Sequence, residues 1–264
     1  MYKKRFGQNF ISDTNFLKSL AAAAGITQGD EVLEIGAGAG GLTCALAAAA
    51  KKVVSYEIDL SLKPVLDGLN LPNLTVIYKD IMKESLEKIR ADFSKNYKLC
   101  ANLPYYITTP ILFKFLEADS GVSEMAVMVQ KEVAARITAN AGVKDYGALT
   151  VAINAVADTA VLKQVNRKMF FPVPNVDSAF VGIKMNSDKE KKIKDKTVLD
   201  KLIRAAFSSR RKTLVNNLMS GFEITRESAE KLLVKQGIGI QARGETLTVE
   251  QFVEMANDIT THNA

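Results

Sequence analysis

Short β-rich runs alternate with longer helix-like runs through the first 185 residues of the chain. Glu31–Ile35, Val53–Glu57, Leu74–Tyr78, Lys98–Ala101 and Met125–Val129 read as strands; Leu42–Ala50, Leu60–Leu69, Glu84–Phe93 and Ile107–Ala118 read as the helices between them. Alternation at this spacing predicts an α/β fold, Rossmann-like, with a parallel sheet covered by helices on both faces. Pro64 falls inside one helical run, so that helix starts there or kinks. Ser12 or Asp13 can cap an earlier helix that runs through Ala24 and stops at Gly25.

Beyond Val161 the pattern changes. Val161–Val165 and Ala179–Met185 form a late strand pair around Phe170, Phe171, Pro172, Val173 and Pro174. Asn186–Lys196 is polar and Lys-rich, the composition of a solvated linker. Helical runs follow near Val198–Phe207, Arg210–Leu218, Arg226–Lys235 and Val249–Ile259. A boundary near 186 divides the chain into an α/β domain over 1–185 and a small C-terminal α-helical domain over 186–264. No internal repeat of useful length is present; the two Ala quartets, 21–24 and 47–50, follow from helix propensity.

With 264 residues and 47% hydrophobic content, the chain has ample material for a buried core. Its formal charge of +6 is compatible with a polyanionic partner without requiring one. Cys44 and Cys100 are the only cysteines and resemble packed small residues, and the single histidine is His262. Zinc chemistry and a His-based triad are excluded on this count, and no metal is expected. No stretch reaches the length of a transmembrane helix and no apolar signal core follows the first residues, so the expected location is cytoplasmic, without a membrane partner.

Candidate chemistry begins at Glu34–Gly41, where glycines follow a strand and open a helix. Glycine lets the backbone turn sharply and approach a ligand without a Cβ clash. Gly36, Gly38 and Gly41 satisfy G-x-G-x-x-G, so an NAD-dependent oxidoreductase must be weighed. Glu57 ends the next strand, twenty-one residues after Gly36, where a carboxylate can accept from both ribose hydroxyls of NAD or of S-adenosylmethionine. Two features favour S-adenosylmethionine. Asp80 follows the third strand and can accept from an adenine amine, although an Asp there is otherwise a helix cap. Glu34 adds negative potential near a cationic sulfonium.

Asn102, Leu103, Pro104 and Tyr105 lie about sixty residues downstream of the glycine turn. The amide oxygen of Asn102 and the Leu103 carbonyl can accept hydrogen bonds from an exocyclic amine while the Tyr105 ring stacks on the base. Such a grip implies chemistry on the amino group of adenine.

These segments, in this order, make the chain resemble the bacterial small-subunit ribosomal RNA adenine dimethyltransferases. The matching stretches are Arg5–Ile11, Glu34–Thr43, Glu57–Asp59, Asp80, Asn102–Tyr105 and Phe170–Ser178; Ala37 departs from the family, which commonly has Pro there. The resemblance implies a Rossmann-like methyltransferase that dimethylates two adjacent adenosines near the 3′ end of 16S ribosomal RNA, within an immature small ribosomal subunit. It implies that Gln8, Asn9 and Ile11 line the cofactor's edge and that Gly36 and Gly38 approach its methionine portion. Glu57 with Ile58 holds the ribose, Asp80 with Ile81 the adenine, and Asn102 stands where cofactor and target meet. Phe170, two residues before Pro172, takes the family's aromatic position and sandwiches the base with Tyr105.

Lys3, Lys4 and Arg5 together with Arg210, Arg211 and Lys212 are the candidates for phosphate contacts. From Asn186 onward there are 14 Lys and Arg against 11 Asp and Glu, a weak imbalance for a nucleic-acid clamp. A monomer is the default expectation. A large-subunit adenine methyltransferase of the macrolide-resistance type shares the site motifs and stays open as an alternative. The oxidoreductase leaves Asp80 and Asn102–Tyr105 unused, and a non-catalytic assembly factor would retain the motifs only for structure.

Overall fold

A computed structural model describes residues 9–262. Its seven strands are β1 (Glu31–Ile35), β2 (Lys52–Tyr56), β3 (Leu74–Ile77), β4 (Tyr97–Asn102), β5 (Val122–Gln130), β6 (Ala157–Val165) and β7 (Ser178–Met185). They form one sheet in the order β3-β2-β1-β4-β5-β7-β6. The pairs β3–β2, β2–β1, β1–β4 and β4–β5 are parallel, whereas β7 runs antiparallel to β5. The direction of the connections reverses between β1 and β4, the kind of switch point at which open α/β sheets bind ligands.

Local chemistry explains the elements that surround this point. Helix α1 (Thr14–Ala23) starts where the Asp13 carboxylate accepts from the Phe16 N–H at 3.0 Å, and the chain leaves it through Gly25 at φ +62°. Leu17, Leu20 and Ala21 recur at helical spacing and are buried. Helix α2 (Gly41–Ala49) opens directly after the glycine turn, and α3 (Lys63–Asp67) takes Pro64 in its first turn, so that proline starts a helix. Next come α4 (Leu86–Ala91) and α5 (Thr108–Phe115). Both faces of β1 are covered, and all five of its residues are buried, Glu31 and Glu34 included. Cys100 is buried as expected, but Cys44 is exposed on α2.

The chain divides into two compact units. One comprises the described residues up to Ala134 with Ala160–Met185; the other comprises Ala135–Thr159 with the described residues from Asn186 onward. The chain passes between them after Ala134, after Thr159 and after Met185, where the sequence reading drew one boundary near 186. Between β5 and β6 lie α6 (Lys131–Ile137) and α7 (Ala148–Asn154), which the hydrophobic pattern did not reveal.

The second unit is built on α7, α8 (Ser187–Glu190), α9 (Lys196–Ala206), α10 (Leu214–Phe222), α11 (Arg226–Lys235) and α12 (Val249–His262). Two expectations need correcting here. The Lys-rich stretch is not simply solvated: Lys189 Nζ donates to the carbonyls of Asn154 and Ala157 at 3.2 and 2.9 Å and pairs with Asp158. The helix expected from Arg210 begins only at Leu214, capped by Thr213, which leaves Arg210–Lys212 in the preceding turn. That turn is pinned by buried Asn217, whose Nδ2 donates to the Ala206 and Ser209 carbonyls at 2.9 and 3.1 Å.

Candidate active site

A cavity of about 840 Å³ opens at the carboxyl ends of β1, β2 and β4, within the first unit. Its volume lies within the usual range for small-molecule and cofactor sites. One wall is formed by the turns after β1, β2 and β3, through Gly36–Ala39, Glu57, Ile58 and Lys79–Met82. The other carries Asn102–Ile107 and Phe171, with Asn9–Ser12 also lining the cavity.

The first wall is shaped by backbone. Gly36 and Gly38 have φ of +81° and +56°, a region that side-chain-bearing residues rarely enter. A Cβ at Gly36 would meet no protein atom within 4 Å, so the turn leaves room for a ligand to approach its backbone. Glu57 is buried, and its Oε2 and Oε1 accept from the Gly38 and Asp59 N–H groups at 2.8 and 2.7 Å. Burial raises its pKa, opposed by backbone hydrogen bonds from Asp59, Gly38 and Ile58. Asp80 does cap a short helix, its Oδ1 accepting from the Met82 N–H at 3.0 Å, and it also lines the cavity. Its second carboxylate oxygen adds acceptor capacity there.

Glu34 does not line the cavity. Strand alternation turns it away from Ile35, which lines the cavity, and toward Thr43 of α2 and Ser55 of β2. Both hydroxyls donate to its Oε2 at 2.7 Å, while Oε1 has no partner. Burial pushes its pKa up to about 7 against those two hydrogen bonds, and the charge of Glu57 adds to the rise. It therefore ties β1 to α2 and β2 and presents no carboxylate to the cavity.

On the second wall, Asn102 Nδ2 donates to the Asn9 carbonyl at 2.9 Å, which leaves Oδ1 as the group the amide offers. Leu103 is buried but lines the cavity, and the Pro104 carbonyl accepts from the Ile107 N–H and Thr108 Oγ1 at 3.2 and 3.3 Å, closing the turn. Tyr105 is half-buried, with its hydroxyl held 2.7 Å from Ser178 Oγ, and burial raises its pKa. The aromatic assignment needs correction. Phe170 is only 2% exposed and packs in the core with Met128, Val165 and Phe180, whereas Phe171 is 60% exposed and lines the cavity. Phe171 is held outward because its backbone forms an antiparallel bridge with Phe10.

The structure thus gathers Asn9, Ile11, Gly36, Gly38, Glu57, Ile58, Asp80, Ile81 and Asn102–Tyr105 around one space. Gln8, Lys3, Lys4 and Arg5 lie outside the described residues. Arg210, Arg211 and Lys212 are exposed in the second unit. Sequence reasoning missed Phe10, Tyr106 and Phe171 on the cavity wall. Phe10 lies inside the Arg5–Ile11 motif, but nothing in its spacing tells which way the ring faces. Among the described residues, no group of three His, Cys, Asp or Glu can hold a metal ion, and no helix is long and apolar enough to cross a membrane.

Residues 1–261 match the family described as ribosomal RNA adenine dimethylase. Ribosomal RNA small subunit methyltransferase A of Clostridioides difficile (strain 630) is 41% identical over 264 residues, spanning 98% of this chain and 91% of that protein. The protein of the same name from Bacillus cereus (strain B4264) is 41% identical over 269 residues, spanning 99% and 92%. Among solved structures, a dimethyladenosine transferase from Plasmodium falciparum superposes with a TM-score of 0.81 at 26% identity, covering 96% of this chain and 98% of that one. The 23S rRNA methyltransferase ErmE gives a TM-score of 0.68 at 26% identity, covering 96% and 100%. A methyl donor of the S-adenosylmethionine type follows from the family. The open space at Gly36 and the acceptors on Glu57 and Asp80 fit it, and the oxidoreductase alternative falls. The chain belongs to the ribosomal RNA adenine dimethylase family and is an rRNA adenine dimethyltransferase.

Proposed function

We propose that this protein uses S-adenosylmethionine to dimethylate two adjacent adenosines in the 3′-terminal hairpin of 16S ribosomal RNA. It does so as a cytoplasmic monomer acting on an immature small subunit. The observation that carries this reading is the orientation of Asn102, whose Nδ2 is committed to the Asn9 carbonyl. The small-subunit target is supported by the names of the relatives that match across nearly the whole chain.

When bound, S-adenosylmethionine supplies a methyl carbon activated by its positive sulfur. Gly36 leaves backbone room for it, Glu57 accepts from its ribose hydroxyls, and Asp80 accepts from its adenine amine. On the target side, Asn102 Oδ1 and the Leu103 carbonyl accept the two N–H bonds of the exocyclic amine. These bonds favour a pyramidal nitrogen whose lone pair is no longer spread into the ring. Tyr105, fixed by Ser178, and Phe171 hold the base by stacking, worth about 1–3 kcal/mol per stacked face. That offsets an unstacking cost of a few kcal/mol. Alignment is the main source of acceleration, potentially about 7–11 kcal/mol. No general base is required, because the product ammonium is acidic enough to lose its proton to water. After the first transfer one N–H remains, and one acceptor suffices for it. Arg210, Arg211 and Lys212, with Lys3, Lys4 and Arg5, contact RNA phosphates.

The test uses unmethylated small-subunit particles, labelled S-adenosylmethionine and mass spectrometry of the RNA. Dimethyladenosine at two adjacent positions is expected. Asn102→Ala should slow transfer on the order of 100-fold or more while donor affinity changes far less. Near-normal transfer by that variant overturns the proposed geometry, and wild-type protein that leaves these particles unlabelled while labelling large-subunit RNA in a parallel reaction overturns the substrate.

A further inference from the structure

An amide side chain presents either its oxygen or its nitrogen, depending on which way it is turned. Asn102 is useful to an amine only if the oxygen faces it. What turns it lies 93 residues away, at the Asn9 carbonyl that takes the Nδ2 hydrogen 2.9 Å from its donor. Reversing the amide would set two oxygens against each other, so the position of Asn9 fixes the orientation.

Asn9 is held in turn by Phe10. The Phe10 N–H donates to the Phe171 carbonyl at 2.9 Å, and the Phe171 N–H donates to the Phe10 carbonyl at 2.8 Å. The Phe10 ring sits on the glycine turn, where a Cβ built on Gly38 would lie 2.9 Å from a ring carbon. The next element of the donor wall is one bond further, since the Gly38 N–H donates to Glu57 Oε2. A single aromatic residue therefore touches the glycine turn with its ring, carries the exposed Phe171 on its backbone, and places the carbonyl that orients Asn102.

We propose that Phe10 is a positioning residue: its ring, seated on Gly38, holds the Asn9 carbonyl against Asn102 Nδ2 so that Oδ1 faces the target amine. The inference rests on the adenine-directed reading of the site. It predicts that Phe10 acts on transfer through Asn102, and that Gly38 is required to be small by the ring above it as well as by the backbone it adopts.

The experiment uses the full chain as wild type, Phe10→Ala, Phe10→Leu, Gly38→Ala, Asn102→Ala and the double variant Phe10→Ala/Asn102→Ala. Transfer to unmethylated small-subunit particles is measured at saturating donor, and solvent exchange of the Asn102 side-chain amide is measured by NMR without donor. Phe10→Ala should lower kcat about 10- to 100-fold, the scale of a misplaced reacting group, with a smaller change in donor KM. Phe10→Leu should recover much of the loss. The double variant should be no slower than Asn102→Ala alone, because the second change removes a group already out of place. Amide exchange should be slow in wild type and Phe10→Leu and fast in Phe10→Ala; Gly38→Ala, which displaces the ring while leaving Phe10 intact, should also exchange fast. Multiplied losses in the double variant, or slow exchange in Phe10→Ala, overturn the inference. A wild-type chain that fails to methylate adenosine overturns the functional reading instead, while the exchange measurement still decides the orientation of Asn102.

Discussion

On the donor wall of the cavity Glu57 is tied to groups two and nineteen positions away, the N–H bonds of Asp59 and Gly38. On the target wall Asn102 is tied to Asn9 across 93 positions, and Tyr105 to Ser178 across 73. One wall is assembled from consecutive strand-to-helix turns; the other is assembled from three distant segments of the chain. The first is fixed once the sheet has formed. The second is correct only if separate parts of the unit arrive together, which makes it the more fragile half of the site.

The two adjacent phenylalanines provide the largest test of this contrast. Phe170→Ala removes a core ring and should cost about 3–5 kcal/mol of stability in chemical denaturation. Phe171→Ala should leave stability and donor affinity nearly unchanged yet weaken transfer by the equivalent of about 1–3 kcal/mol, one stacked face. Exchange of these two outcomes would return the stacking role to Phe170 and remove the distinction between wall and core.

The tie between β1, α2 and β2 should respond to pH through Glu34. Its folded pKa of about 7 lies above the ordinary 4.5, so the neutral form is favoured on folding. The stabilisation is fully present below about pH 4.5 and is lost as pH rises through about 7, a change of about 3 kcal/mol. Comparing urea unfolding of wild type and Glu34→Gln at pH 5 and pH 8 should show wild type losing ground at the higher pH by an amount of this order. A difference that does not vary with pH would mean the carboxyl is charged throughout.

The smallest effect at saturating particle is expected from charge reversal at Arg210 and Arg211. Particle affinity and its salt slope should fall, by roughly one unit of slope per lost phosphate contact, with donor affinity intact. An unchanged slope would remove these arginines from the RNA-binding surface.

The donor wall was legible in the sequence because its residues follow one another in strand order: glycines after β1, Glu57 after β2, Asp80 after β3. The target wall was legible only at Asn102–Tyr105. Which of Phe170 and Phe171 faces outward could not be read, because it is decided by backbone pairing with Phe10 across the chain. The surroundings of Glu34 were hidden for a different reason. In a central strand buried on both faces, hydrophobic alternation carries no signal of which way a residue points, and its hydroxyl partners come from α2 and β2. The helices Lys131–Ile137 and Ala148–Asn154 are short, and the second contains Thr150, Val151 and Ile153, residues whose propensity argues against helix. Buried contacts of Thr150, Val151 and Ile153 override that preference.

The reversed direction of β7 has a chemical consequence. Had that strand run parallel to β5, Ser178 would begin at the opposite end of the sheet, far from the turn after β4. Running against β5, it delivers a buried hydroxyl to the rim where the Asn102–Tyr105 loop emerges, and one hydrogen bond then stops the Tyr105 phenol from swinging. The single antiparallel pairing with β5 thus acts as a brake on an aromatic side chain, and ties the molecule's topology to the flat shape of what it modifies.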